Sequence, residues 1–354
     1  MGIHEPCQVG NEAALRGTSY VPRVSRIVRD TDDYGNTVFL FGGSMANSSL
    51  IETAYSHCTL CPRKCGANRL NGEKGVCGMT SSLYVSRAAL HMWEEPCISG
   101  KEGSGTVFFS GCPLHCVFCQ NHDISGGISG KEISVERLGE IFIELQKKGA
   151  NNINLVTPTH YIPHIVEAAN QARKNGLTIP FVYNTSGYET EESLELLKDT
   201  VDIFLPDFKY FSTDTSSLLS KAQNYTEVAK RALAKMYEIV GKPLFDDESG
   251  MMKKGVIVRV LVLPLHTNEA IKIVRYLHET YADNIYISIM TQYTPIEDTL
   301  PTGSEYDFLR RSITKREYEK VINACLELGL KNAFFQDGKA NLESFIPPFD
   351  NEGV

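Results

Sequence analysis

The sequence predicts an α/β fold, a partial (βα)6 TIM-like barrel with an N-terminal Cys-rich extension. Three observations predict it. From about residue 105 onward, short β-prone apolar runs alternate with amphipathic stretches of helical period. The apolar runs are nearly continuous rather than alternating, as in strands buried on both faces of a parallel sheet. Six such βα units can be counted, two short of the closed eightfold barrel.

Taken in order, residues 1–55 are poorly patterned and read as an extension, with a short strand expected at 37–41. Residues 56–104 form a Cys-rich segment, in which 83–93 reads as a strand or short helix leading into EEPCISGKEGSG. Residues 105–335 form the core. Its strands are expected at 106–110, 152–157, 180–185, 201–205, 256–263 and 285–290, with 332–335 as a further candidate. The helices between them are expected at 135–148, 162–174, 191–198, 227–240, 268–281 and 315–328. In the first helix Leu138, Ile141, Phe142 and Leu145 share one face, and Ser134 is placed to cap its start. Residues 336–354 contain SFIPPFDNEGV and read as an irregular covering tail.

Composition is that of a water-soluble globular chain, with 42% apolar and 22% charged residues and a formal charge of -8. That balance argues against a nucleic-acid partner, which would require a basic stripe. MGIHEPCQVGNE has no apolar signal core, and Pro6 stands where a myristoylation motif needs Ser or Thr. The most apolar run, 256–265, is broken by Arg259 and Pro264 and is too short to span a bilayer. The expectation is a cytoplasmic protein with no membrane partner. Ten cysteines in such a chain are expected to be metal ligands or free thiols rather than disulfides.

Seven of the ten fall in two groups. In TVFFSGCPLHCVFCQN, Cys112, Cys116 and Cys119 are spaced C-x3-C-x2-C on a loop directly after the first core strand. Three thiolates there form a metal ligand set with one metal position open; a zinc loop or free thiols are the bland alternatives. Upstream, HCTLCPRKCGANRLNGEKGVCG presents Cys58, Cys61, Cys65 and Cys77. Four sulfurs satisfy zinc or an iron–sulfur centre equally, and a metal-free loop is the third reading. Arg63, Lys64, Arg69 and Lys74 supply positive charge expected to lower those thiol pKa values.

Functional residues of such folds gather at the C-terminal ends of the strands. Here those ends carry the cysteine loop, then Thr157-Pro158-Thr159-His160, Asn184-Thr185-Ser186-Gly187, Pro206-Asp207-Phe208-Lys209, Pro264-Leu265-His266 and Thr291-Gln292-Tyr293. Arg259 lies within an apolar strand, where a charge is costly unless paired. Asp207 and Lys209 could also be a surface ion pair of little energetic weight. His115 reads as loop filler; His160, His164 and His266 are candidates for proton transfer. Cys97 reads as a small buried apolar residue.

The cysteine loop, with Phe118 just before its last cysteine, resembles the cluster loop of radical S-adenosylmethionine (SAM) enzymes. Together with CPRKCGANR, EEPCISG and LPDFKY, it makes residues 55–340 similar to the pyruvate formate-lyase activating enzyme-like group. The resemblance implies a [4Fe-4S] cluster on Cys112, Cys116 and Cys119, with SAM chelating the open iron. One electron then splits SAM to a 5′-deoxyadenosyl radical that abstracts hydrogen from a substrate. It further implies SAM contacts from Phe118, Thr157, Thr159, Asn184, Ser186, Asp207, Lys209, Arg259 and Gln292. It implies an electron donor such as a flavodoxin or ferredoxin, and a protein or peptide among the candidate substrates. Activating enzymes present Gly-Gly-Glu where this chain has Thr157-Pro158-Thr159, so backbone carbonyls and hydroxyls would hold the SAM amino group. A non-catalytic zinc-binding or thiol-sensing module on an α/β scaffold is the rival reading.

Overall fold

The computed structural model describes residues 47–127, 129–336 and 347–354. Cys7 and the strand expected at 37–41 lie outside the described residues. The strands are β1 (Leu83–His91), β2 (Ser104–Phe109), β3 (Lys131–Ile133), β4 (Ile153–Val156), β5 (Phe181–Thr185), β6 (Ile203–Pro206), β7 (Leu244–Phe245), β8 (Met252–Leu261), β9 (Tyr286–Met290) and β10 (Ala333–Phe335). Every residue of β2, β4, β5 and β6 is buried, which is why their sequences are mostly apolar instead of alternating, with Ser104, Thr106, Asn154, Asn184 and Thr185 as buried polar exceptions.

Along the sheet the order is β10-β9-β8-β6-β5-β4-β2-β1-β3, with β7 paired to β8 at the side. From β2 to β10 the neighbours are parallel and follow chain order, so seven strands form the barrel wall. The sequence at 332–335 does add the seventh. The sheet path does not return on itself, consistent with an open, partial barrel. The stretch at 83–93 resolves as strand: β1 pairs antiparallel to β2, with His91 opposite Ser104 and Val85 opposite Phe109, and β3 pairs antiparallel to β1. Because β1 runs against β2, the residues that follow β1 emerge at the N-terminal end of the barrel, opposite the cysteine loop.

The helices are α1 (Asn47–Ser56), α2 (Pro96–Ser99), α3 (His122–Ser125), α4 (Val135–Lys147), α5 (Ile162–Lys174), α6 (Glu191–Glu195), α7 (Thr213–Ser220), α8 (Tyr225–Val240), α9 (Thr267–Tyr281) and α10 (Lys315–Glu327). The Ser134 side chain caps α4 by accepting from Arg137 N, and the four expected apolar residues of α4 are buried. Each such burial stabilises by about 1.5–3 kcal/mol. The sequence did not announce α1 or α7. TDTSSLLS is poor in helix formers, and α7 is held by its Ser212 cap and a left-handed turn at Lys221. Residues 347–354 are irregular and run beside β1. Ala88 N donates to Glu352 O at 2.8 Å, and Arg87 pairs with Asp350 at 2.7 Å and also with Glu352.

The cysteine loop leaves β2 through Gly111, which sits at φ +87°; a Cβ there would stand 2.4 Å from Met79 Cγ and 2.8 Å from Cys77 O. Gly149 has a similar φ, +92°, with open space around it. Gly111→Ala should therefore lower unfolding stability by roughly 2–4 kcal/mol, through backbone strain plus overpacking. Gly149→Ala should show the smaller backbone part alone. Urea midpoints compare the two, and equal losses would mean that the Cys77–Met79 contact is not the reason.

Candidate active site

Beyond β2, Cys112, Cys116 and Cys119 come round onto the wall of one cavity of about 210 Å3. The loop has no regular structure, so neighbouring groups set its shape. Cys112 N donates to Cys77 O at 3.2 Å, and Val117 N to Leu219 O at 2.9 Å. His115, at φ +53°, brings its Nε2 within 2.7 Å of Val76 O. Burial pushes the Cys112 thiol up to about 11 and Cys119 to about 12, and the neighbouring Cys116 sulfur adds to both shifts. Metal binding here would displace protons. Among the described residues, no three His, Cys, Asp or Glu side chains gather as a single bound ion requires. An iron–sulfur cubane spreads its ligands more widely than one ion does. Three thiols on one cavity wall fit a cluster with one free corner.

Below the loop runs a chain of alternating charge. Lys209 Nζ donates to Asp207 Oδ2 at 2.6 Å. Arg259 Nε donates to Asp207 Oδ1 at 2.8 Å, its Nη1 reaches Glu94 Oε2 at 3.3 Å, and its Nη2 donates to Asn184 Oδ1. Glu94 Oε1 in turn accepts from Asn154 Nδ2 at 2.9 Å. Burial alone would discharge these groups; at Asp207, Lys209 and Arg259 the pairing outweighs it, whereas burial keeps the Glu94 carboxyl raised against the Arg259 charge. Arg259 and Lys209 together hold Asp207 below the usual carboxylate range. Asp207, with the Cys116 and Cys119 sulfurs, holds the Lys209 ammonium charged. Sequence reasoning named Asp207, Lys209, Asn184 and Arg259, and the structure joins all four. It missed Glu94, the first residue of EEPCISG.

Of the other expected contacts, Phe118, Thr157, Ser186 and Gln292 line the same cavity. Phe118 is buried edge-on between Tyr210 and Tyr293. Thr157 adopts φ +57°, and Gln292 is held by Gln120 and Gln336. Thr159 is not on the cavity wall. It opens a 3-10 turn, is buried, and donates to Glu189 Oε1 at 2.9 Å beside Thr185. The turn carries Thr159 away from Thr157 and the cavity wall.

The Cys-rich segment seats directly on the cysteine loop. Cys58, Cys61 and Cys77 are buried and Cys65 is exposed. The expected lowering of their pKa values does not hold for Cys61 and Cys77. Burial pushes Cys61 up to about 12 and raises Cys77 even against the Arg69 charge. Arg69 is fully buried over the Tyr55 ring at 4.1 Å and donates to His160 O at 2.7 Å and Thr80 O at 2.6 Å. Arg63 points away from the sulfurs. It donates to the carbonyls of Pro113 (3.0 Å), Leu114 (3.3 Å), Ser220 (2.7 Å) and Lys221 (2.6 Å), strapping the cysteine loop to the end of α7.

The three candidate histidines stand off the cavity wall. His160 Nε2 meets Ser110 O at 2.7 Å, and burial lowers its pKa to about 3. His164 bonds Tyr55 Oη at 2.8 Å, and burial lowers it to about 4. His266 packs on Phe308. Cys97 is buried in an apolar cluster with Ile98, Val182 and Ile257. Among the described residues no helix is long and apolar enough to cross a membrane.

The model of the radical SAM superfamily matches residues 106–245, which run from β2 through β7. The uncharacterized protein MJ0674 of Methanocaldococcus jannaschii is 31% identical over 290 residues, covering 79% of this chain and 78% of that protein. Among solved structures, SuiB of Streptococcus suis aligns with a TM-score of 0.43 at 15% identity, over 66% of this chain and 47% of SuiB. HydG, a maturase of the [FeFe]-hydrogenase, aligns with a TM-score of 0.43 at 12% identity, over 71% of this chain and 50% of HydG. The chain thus spans about half the length of these two proteins.

Removing the buried guanidinium strands two carboxylates. Arg259→Met should cost about 3–5 kcal/mol in denaturant unfolding, and Arg259→Lys should recover only part, since an ammonium cannot serve all three partners at once. Glu189 offers a pH signature. Burial pushes its carboxyl up to about 7, so the folded state holds the proton more tightly than the unfolded state. Stability should therefore fall as pH rises from about 4.5 to about 7, by up to roughly 3 kcal/mol from this group. Glu189→Gln should remove that slope; parallel pH–stability curves for the two proteins would refute it.

Proposed function

The chain belongs to the radical SAM superfamily, and on that premise we propose that it is an enzyme whose cluster sits on Cys112, Cys116 and Cys119 and whose SAM and substrate occupy the cavity beneath. The observation that carries this reading is that the three thiols share one cavity with the polar ends of β5, β6 and β8. When bound, the cluster and SAM supply reductive C–S cleavage and a 5′-deoxyadenosyl radical that abstracts hydrogen from a substrate.

The chain's own residues hold the parts. Lys209 and Asp207 face the end of the cavity nearest the sulfurs and present fixed charge to the methionyl portion. Asn184 and Ser186 offer hydrogen bonds from the end of β5, the turn at Thr157 offers backbone carbonyls, and Gln292 with Phe118 borders the opposite side. The buried aromatic ring and the closed loop exclude water.

The finer reading is activating-enzyme-like: hydrogen abstraction from a protein or peptide, with electrons from a flavodoxin or ferredoxin. CPRKCGANR, EEPCISG and LPDFKY support it. Cys58, Cys61, Cys65 and Cys77 are the candidate for a second metal, zinc or iron–sulfur. The rival, a zinc-binding or thiol-sensing module, is not favoured.

Anaerobically reconstituted protein given dithionite and SAM should release 5′-deoxyadenosine, and Cys112→Ala should release essentially none. Absence of the product from the unsubstituted protein, or equal product from Cys112→Ala, would overturn the reading. The metal left after replacing all three loop cysteines reports on the upstream group.

A further inference from the structure

The segment after β1 closes the cavity from below. Pro96 bars the residue before it from helical backbone, and Glu95 is accordingly extended at φ -51°, ψ 146°. Its carboxylate does not cap α2, the short helix it precedes. Asn151 Nδ2 donates to Ser99 O at 2.6 Å and Asn152 Nδ2 to Ile98 O at 2.8 Å, fixing α2 against the start of the barrel. The turn is therefore rigid, and it puts both Glu94 and Glu95 on the cavity wall at the end away from the cysteines.

Glu94 is used by Arg259 and Asn154. Glu95 is not used in the same way: it is 8% exposed, and its Oε2 has no hydrogen-bond partner among the described residues. Among the described residues the local charge is also unbalanced. There Glu94, Glu95 and Asp207 face only Arg259 and Lys209, and His91 beside them is kept neutral by burial, its pKa lowered to about 4. One buried carboxylate is left without a counter-charge, a costly arrangement unless the site takes up a cation or a proton. Trp93, Phe108 and Leu261 flank this floor on the cavity wall and suit an aliphatic stem carrying a positive group.

We propose that Glu95, backed by Glu94, is the floor of a substrate subsite for a cationic nitrogen, an ammonium or guanidinium on an aliphatic stem. Its role as a substrate site rests on the function proposed above; its capacity to bind cations does not.

Trp93 is the only tryptophan in the chain and lines the same cavity, so its fluorescence reports occupancy. Reconstituted full-length protein is titrated with n-butylammonium, n-butylguanidinium, n-butanol and butyrate, excited where tyrosine does not absorb. One or both cations should shift the emission saturably, and n-butanol and butyrate should not. Glu95→Gln should weaken cation binding at least tenfold, while Glu95→Asp, which keeps the charge, should weaken it less. Circular dichroism and iron content check that both variants are folded and loaded. Equal binding of cation and alcohol, or unchanged binding in Glu95→Gln, overturns the proposal. If the unsubstituted protein makes 5′-deoxyadenosine but binds no cation, this inference fails alone. If it makes none yet binds cations through Glu95, the proposed function fails and the cation site stands.

Discussion

One largely buried guanidinium organises the centre of this molecule. Arg259 lies in a strand whose neighbours are Val258 and Val260, both with no exposed surface. A charge there is tolerable only if carboxylates are brought to it. Asp207 and Glu94 supply them, and Asn184 supplies a third acceptor. Backbone contacts follow the same line: Asp207 and Arg259 form an isolated bridge, and Phe208 N donates to Arg259 O at 2.9 Å. The ends of β5, β6 and β8 and the turn after β1 are thus drawn to one point. The polar groups of the cavity converge because the apolar wall around them leaves those charges no other partners.

The pairing also orders the cavity from top to bottom. Lys209 stands between the cysteine sulfurs and Asp207, so its charge is shared between the loop and the ion-pair chain. Arg259 is the hinge of that chain, and Glu94 its foot. Any ligand entering from the cysteine side meets cationic character first, and one that reaches the floor meets carboxylates. That polarity is a consequence of strand direction. The cysteine loop follows a strand running up the barrel, and the glutamates follow a strand running down beside it.

Much of this was legible in the sequence, and the reasons differ by residue. The six expected strands were readable because burial of most of their residues leaves few polar positions to blur the pattern. Asp207, Lys209 and Arg259 were readable because charges beside or within such strands demand explanation. Glu94 and Glu95 were not assigned, because their position depends on β1 running antiparallel at the sheet edge, which no local pattern encodes. Thr159, expected at the site from the resemblance, stands off the cavity because the positive-φ backbone at Thr157 and the 3-10 turn after it carry its side chain to Glu189. Basic residues near the upstream cysteines in sequence do not set their thiol pKa values, because sequence spacing does not say where those side chains point. Arg63 is spent on backbone carbonyls, and burial outweighs Arg69.

That misreading of Arg63 shows what the Cys-rich segment does for the core. A loop carrying three cysteines in eight residues has no ladder of its own to fix it, though Leu114 and Phe118 anchor it in the core. Its shape here is imposed from outside, by Cys77 O on Cys112 N, Val76 O on His115, Leu219 O on Val117 N and the four-carbonyl clamp of Arg63. Gly111 permits the closest of these approaches, and Met79 fills the space its missing side chain leaves. The loop's conformation therefore belongs to two segments of the chain at once. Whatever holds residues 58–78 in shape, whether buried packing around Arg69 and Tyr55 or a metal on the four sulfurs, acts on the geometry of Cys112, Cys116 and Cys119 through rigid backbone contacts.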